Sequence, residues 1–367
     1  MYLRSVRIQM EDHYTTEDRS FWHAYDPLTA LNRLCKMKLV GDDRVSFMKW
    51  TGKLGPSVVA VGCECEDDLR MLEYCPNLDF LTITAAHITE EIILKNQCES
   101  FNWLQRLRFQ YFQYGHSVTD RCISPYTTNL KELEIHRIKK FTGQCLMTTP
   151  SSLESLVISF CPDFELRHLL AAENLSLLRK LEISGAKREM YSEIHLVLDK
   201  MPKLEYVTMN YSVLRSEVFF ESVCRLKNLY HLHVNFKAND GDLEAVTRCC
   251  PQLRSLAMMR CMDVTGRGVR AVCEHAGARL SGLGLASSQV TDDDVVACVR
   301  ACPKLKRLDV KYCYKLTAEL LPRVATARRE MYAGRPLRMR VIGTNVYSWP
   351  NEVPYEELRI THGGLIR

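Results

Sequence analysis

No uninterrupted apolar run in the 367 residues approaches the roughly 18 that a membrane-spanning helix needs. The segment from Met1 to Met10 alternates arginine with apolar side chains and has no secretory core. The expected location is therefore cytoplasmic, nuclear or both, with no membrane partner. The 16 cysteines, spread along a chain with no signal for an oxidising compartment, are expected as free thiols. Catalytic signatures are missing too. There is no G-x-x-x-x-G-K-[ST] loop, no G-x-S-x-G elbow, no H-E-x-x-H and no G-x-G-x-x-G. Zinc would call for paired cysteines two to four residues apart followed by a second pair, and neither Cys63-x-Cys65 nor Cys249-Cys250 supplies that. These cysteines read as small buried hydrophobes. The expectation is a non-catalytic protein with no cofactor and no metal.

A large excess of either charge is also missing, and the placement of the small excess matters more than its sum. The formal net charge is +5. An equal excess sits between Leu321 and Asn345, where Arg323, Arg328, Arg329, Arg335, Arg338 and Arg340 face only Glu330, which makes the Arg323 to Arg340 cluster a second candidate surface, for an acidic partner, with a solvated end-cap face as the other reading. The remainder is balanced and lacks the basic stripe that phosphate binding requires, so nucleic acid is excluded as the main partner. At 46% hydrophobic and 25% charged, the composition is that of a folded protein and excludes a disordered or fibrous chain.

What is present is a repeat. The pattern L-x-x-L-x-L, whose last two apolar residues alternate with polar ones as a half-buried strand requires, recurs from Leu78/Leu81/Ile83 to Leu305/Leu308/Val310. Between these lie Leu104/Leu107/Phe109, Leu130/Leu133/Ile135, Leu153/Leu156/Ile158, Leu178/Leu181/Ile183, Leu204/Val207/Met209, Leu229/Leu232/Val234, Leu253/Leu256/Met258 and Leu280/Leu283/Leu285. The spacing falls inside or close to the 20–29 residues of leucine-rich repeats. Helical stretches such as Leu243 to Cys249 and Asp292 to Ala301 follow the strands. One strand–helix unit cannot bury its own apolar face, so each must stack on the next. The predicted fold is an α/β leucine-rich-repeat solenoid, a curved horseshoe with a parallel sheet on the concave face and helices on the convex one. A doubly wound α/β domain is the alternative, and the fixed period and missing phosphate loop argue against it. The organisation expected is a single domain over 1–367, with weak repeats over 1–55, clear ones over 56–320, and degenerate repeats or a cap over 321–367. The weak copies are read as Leu3/Val6/Ile8, Leu34/Met37/Leu39, Pro56/Val59/Val61, Pro336/Met339/Val341 and Tyr355/Leu358/Ile360.

Several repeats carry further marks. Cysteine falls eight residues after the first leucine at Cys161, Cys261 and Cys313. Cys-Pro precedes the strand at Cys75-Pro76, Cys250-Pro251 and Cys302-Pro303. Val-Thr followed by a helix start recurs at Val118-Thr119-Asp120, Val264-Thr265-Gly266 and Val290-Thr291-Asp292, where threonine suits a helix N-cap. Together these marks resemble the cysteine-containing repeats of F-box/leucine-rich-repeat proteins, over roughly residues 56 to 320 and most fully from Pro251 to Leu316. The resemblance implies the substrate-recognition part of an SCF-type ubiquitin ligase receptor, acting in ubiquitin-dependent degradation. It implies a protein substrate on the concave face, and a Skp-type adaptor and cullin if an F-box lies upstream. No F-box segment is found in this sequence, and an upstream region is expected. A stand-alone scaffold or inhibitor that binds a globular protein is the alternative function.

In x-L-x-L-x the x positions line the concave face. Along the second half they give an aromatic wall of Tyr206, His231 and His233, a floor of small residues from Ser255 to Ala286 that includes Met259, and a basic wall of Arg307 and Lys311. These are candidate partner-binding residues, since aromatic and arginine side chains anchor interfaces. The small floor has a second explanation, accommodation of curvature. Arg106 and Arg108 are further candidates, although cross-strand ion pairs with Glu132 and Glu134 would occupy them. His136 with His231 and His233 would make a metal site only if side chains about four strand spacings of about 4.8 Å apart converged; solvated or hydrogen-bonded histidines are expected.

Overall fold

The computed structural model describes residues 6–9, 36–40, 60–63, 66–70, 72, 77–84, 88–96, 104–148, 152–172, 175–187, 192–210, 217–331, 336–346 and 358–361. The chain divides into two compact units, Met1–Leu177 and Leu178–Arg367. Each is a leucine-rich-repeat solenoid in which parallel strands follow one another in chain order. In the first unit the strands are β1 (Val6–Gln9), β2 (Lys36–Val40), β3 (Ala60–Cys63), β4 (Phe80–Thr84), β5 (Arg106–Thr119), β6 (Glu132–Lys140) and β7 (Ser155–Ser159). In the second they are β8 (Lys180–Ser184), β9 (Tyr206–Asn210), β10 (His231–Asn239), β11 (Ser255–Asp263), β12 (Gly282–Leu285), β13 (Arg307–Asp309), β14 (Leu337–Arg340) and β15 (Leu358–Thr361). Among the described residues no helix is long and apolar enough to cross a membrane.

Alternation decides which face of each strand is packed. Along β10, residues Leu232, Val234 and Phe236 are fully buried, while His231, His233 and Asn235 between them keep part of their surface. Leu181, Val207, Leu232, Leu256, Leu283 and Leu308 stand in register from strand to strand, so each repeat completes the apolar layer of its neighbour. Aromatic stacks extend that layer, Phe141 on Phe164 in the first unit and Phe219 on Phe236 in the second.

Two expected registers are corrected. Val61 pairs with Leu81 and Cys63 with Ile83, so the inward strand positions of the third repeat are Val61 and Cys63 and not the expected Val59 and Val61; Pro56 and Val59 lie outside the described residues. Met339 pairs with Ile360, which moves the last repeat by two residues as well. A two-residue slip leaves every side chain on the same face of a strand, so alternation alone cannot detect it.

Turns and helix starts follow the repeat. Arg137, Phe160, Gly185, Ser287, Tyr312 and Gly343, each seven residues after the first position of its repeat, all have positive φ. This left-handed residue bends the chain, inside β6 for Arg137 and past the strand's end for the other five, and the side chain that follows it is buried. Cys161 and Cys313 follow such residues, are fully buried, and direct their thiols at the carbonyls of Ile135 and Leu285. Burial pushes the Cys161 thiol up to about 12, so these cysteines behave as small buried groups.

The threonines do more than cap their own helices. Thr265 caps the helix Gly266–Ala276, and its amide and hydroxyl also donate to the carboxylate of Asp240, the first residue of the preceding helix Asp240–Cys249, both at 2.8 Å. Thr317 donates in the same way to Asp292, and Thr142 to Asp120 in the first unit. All three aspartates are buried. The acid that opens one helix therefore fastens the start of the next repeat.

Candidate functional site

The open face of the second unit is built from cross-strand rows. One row runs Tyr206, His231, Ser255, Gly282, Arg307, Arg338, Arg359, one residue per strand from β9 to β15. The neighbouring row runs Thr208, His233, Ala257, Gly284, Asp309, Arg340. Met259 and Lys311, two residues further along β11 and beyond the end of β13, lie on the same face and are half-buried. Six expected residues, Tyr206, His231, His233, Met259, Arg307 and Lys311, thus share one unit and one face.

At the aromatic end, Tyr206 and His231 stack with ring centroids 3.9 Å apart and an interplanar angle of 4°. Tyr230 meets Tyr206 edge-on, and the Lys180 ammonium sits 5.4 Å from the Tyr206 centroid. Burial, reinforced by His233, Arg307 and Lys180, pushes His231 down to about 4. Burial also lowers His233, against the opposing pull of Asp309. Both imidazoles are therefore neutral near pH 7. The Nε2 atoms of His231 and His233, Thr208 Oγ1 and Asn235 Oδ1 are buried and have no hydrogen-bond partner among the described residues.

The small floor proves to be a packing requirement in part. A Cβ built on Gly284 would stand 3.0 Å from Ala257 Cβ and 3.3 Å from Ala257 Cα. Gly282 has the Arg307 guanidinium nitrogens 3.7 Å from where its Cβ would be. Close strand approach keeps these positions small, and Arg307 leans back over the gap. Gly284→Val is expected to destabilise the chain by about 1–3 kcal/mol, the range for overpacking a tight interior, read as a lower midpoint in urea denaturation; an unchanged midpoint would mean the strands separate freely there.

The basic end is where sequence reasoning fell short. Arg307, Arg338 and Arg359 are exposed, occupy the same row, and have no carboxylate partner among the described residues. By contrast Asp309 is shared by Lys311 at 3.4 Å and Arg340 at 3.8 Å. The arginine cluster after Leu321 therefore does not form one surface. Arg328 is buried, Arg323 pairs with Asp293 of the helix Asp292–Ala301, and only Arg338 and Arg340 reach the open face. Arg335 lies outside the described residues.

Arg106 and Arg108 belong to the first unit, and both are engaged. Arg106 pairs with Asp79, not with the expected Glu132, and Arg108 Nε donates to Glu134 at 2.5 Å. Both guanidinium groups lie over the Phe80 ring. His136 lies 3.4 Å from Glu134, which His136 and then Arg108 hold down at about 2.

No protein-family model and no curated protein matches this chain. Among solved structures, a chain from the crystal structure of the Rad7 and Elc1 complex in yeast is 15% identical over 87% of this chain and 88% of its own length, with a TM-score of 0.63. An internalin (InlF) from Listeria monocytogenes strain 4b F2365 is 13% identical over 84% of this chain and 88% of its own, with a TM-score of 0.46. The Rad7–Elc1 likeness, far below the identity at which function carries over, agrees with the leucine-rich-repeat fold.

Proposed function

We propose that this chain is a protein-binding module whose second unit receives an acidic segment of a partner on its open face. The observation that carries this reading is the row of Arg307, Arg338 and Arg359, three exposed arginines on adjacent strands about 4.8 Å apart, without carboxylate partners among the described residues. Arginine forks match carboxylates bidentately. Further along the same row, with Ser255 and Gly282 between, the Tyr206–His231 stack offers a flat anchor, and aromatic and arginine side chains are both enriched at interface centres. Titration of arrayed Asp/Glu-rich peptides against the purified chain tests the surface. Arg307→Glu combined with Arg338→Glu is expected to weaken the best binders at least tenfold, about 1.4 kcal/mol, and to reduce the salt dependence. Unchanged affinity would remove the site from this face.

The finer assignment is the substrate-recognition part of an SCF-type ubiquitin ligase receptor. Its support is the resemblance of the Pro251–Leu316 repeats to F-box/leucine-rich-repeat proteins, together with the similar chain having been crystallised in a two-protein complex. Affinity purification of the full-length gene product should recover a Skp-type adaptor and a cullin. Their absence from a verified full-length preparation would favour the stand-alone scaffold.

A further inference from the structure

One cluster of side chains takes no part in the open face. Cys273 lies on the helix Gly266–Ala276, Cys298 on the helix Asp292–Ala301, and Cys302 caps the latter. The three Sγ atoms lie within 4.8 Å of one another, and those of Cys298 and Cys302 are 3.9 Å apart. Among the described residues this is the one group of three or more histidine, cysteine or carboxylate side chains close enough to share an ion. Cys298 and Cys302 are buried and Cys273 is half-exposed, so the group opens to solvent on the Cys273 side. Gly277, which ends the first helix, has the Ala301 carbonyl oxygen 2.9 Å from where its Cβ would be. The missing side chain lets the two helix ends approach at the thiols.

These distances discriminate between two chemistries. A disulfide needs sulfurs at about 2.05 Å, nearly half the observed separation, and would leave the third thiol idle. Metal–thiolate bonds of about 2.3 Å place sulfur ligands roughly 3.8–4.0 Å apart in tetrahedral or trigonal geometry. The Cys298–Cys302 pair already stands at that separation, and the spacing Cys298-x3-Cys302 falls in the window for paired zinc ligands. We propose that Cys273, Cys298 and Cys302 form a three-thiolate site for a thiophilic divalent cation of the zinc class, with the solvent side left for water or a fourth ligand. Each binding thiol releases its proton to solvent, and no electron is transferred.

Cobalt(II), which reports thiolate ligation by an intense near-ultraviolet charge-transfer band, is the probe, added anaerobically to the reduced full chain and then competed with zinc. One equivalent of cobalt should produce the band, and zinc should abolish it. Cys273→Ser with Cys298→Ser should eliminate it, whereas Cys224→Ser with Cys249→Ser, altering thiols of two preceding helices, should leave it intact. Because loss of Cys298 also disturbs the core, Cys273→Ser alone, at a half-exposed position, serves as the second variant. It should weaken cobalt affinity at least tenfold with an unchanged circular dichroism spectrum. No band in the wild-type chain, a band that survives Cys273→Ser at full affinity, or equal loss in the Cys224/Cys249 variant would each overturn the site.

Discussion

Asp240→Ala is expected to lower the stability of the protein by about 3 kcal/mol, since hydrogen bonds to a charged group contribute about 1.5–3 kcal/mol each and the vacated donors recover part of the loss from water. The carboxylate is 8% exposed and accepts from the Thr265 amide and hydroxyl, both at 2.8 Å, and from the Gly268 amide at 3.0 Å. Arg267 stands 3.4 Å away on the solvent side. Removing the acid strips the start of the next helix of its acceptor, at a seam where two repeats are held together. Asp240→Asn should recover part of the loss, because an amide keeps one acceptor oxygen and contributes no charge. Asp199→Ala is the control. Its partner Arg225 is largely exposed, and a surface pair of that kind is worth about 0–1 kcal/mol. Urea denaturation followed by circular dichroism distinguishes the two. A loss below about 1 kcal/mol for Asp240→Ala would show that the repeats are held by apolar stacking alone.

The fold was legible because its signal is local and repeated. Leu181, Val207, Leu232 and Leu256 each sit in a short stretch whose alternation marks a buried face, and copies at a nearly fixed interval reveal the stacking. What was hidden depends on contacts between repeats. Thr265 is recognisable as a helix cap, but that Asp240 of the preceding repeat receives its bonds appears only once the repeats are stacked. The thiol group is hidden for the same reason. Cys298 and Cys302 form a recognisable pair, whereas the third sulfur comes from Cys273 on the neighbouring helix and not from a second pair along the chain. Arg359 escaped notice as a binding residue because its strand is degenerate and short, and only the register places it in one row with Arg307 and Arg338.

Acidification is expected to destabilise the protein before its carboxylates titrate. His231 falls from its ordinary 6.5 to about 4, chiefly by burial, with His233, Arg307 and Lys180 adding to the shift. His233 is lowered by burial too, although Asp309 opposes the shift. The unfolded chain takes up these protons near pH 6.5, whereas the folded chain takes up that of His231 only near pH 4 and that of His233 at a lower pH than the unfolded chain does. The unfolded state therefore binds more protons in between, and stability rises with pH across that window. The contribution is complete above about pH 6.5 and is lost as pH falls toward 4. Glu134 behaves differently: held at about 2, its contribution persists until pH drops below its ordinary 4.5. The interval from pH 6.5 to 4.5 thus isolates the histidines. Each shifted unit is worth about 1.36 kcal/mol, and discounting for the partial exposure of His231 leaves roughly 1–2 kcal/mol across the interval. His231→Phe, which keeps a ring against Tyr206 and cannot charge, should flatten the dependence; an unaltered slope would place the titrating group elsewhere. An acidic partner acts in the opposite sense. Carboxylates laid beside His231 favour its charged form, so by linkage such a peptide should bind more tightly at pH 5 than at pH 7 even as the free protein loses stability. Weaker binding at pH 5 would show that the partner's charges lie away from the aromatic end of the row.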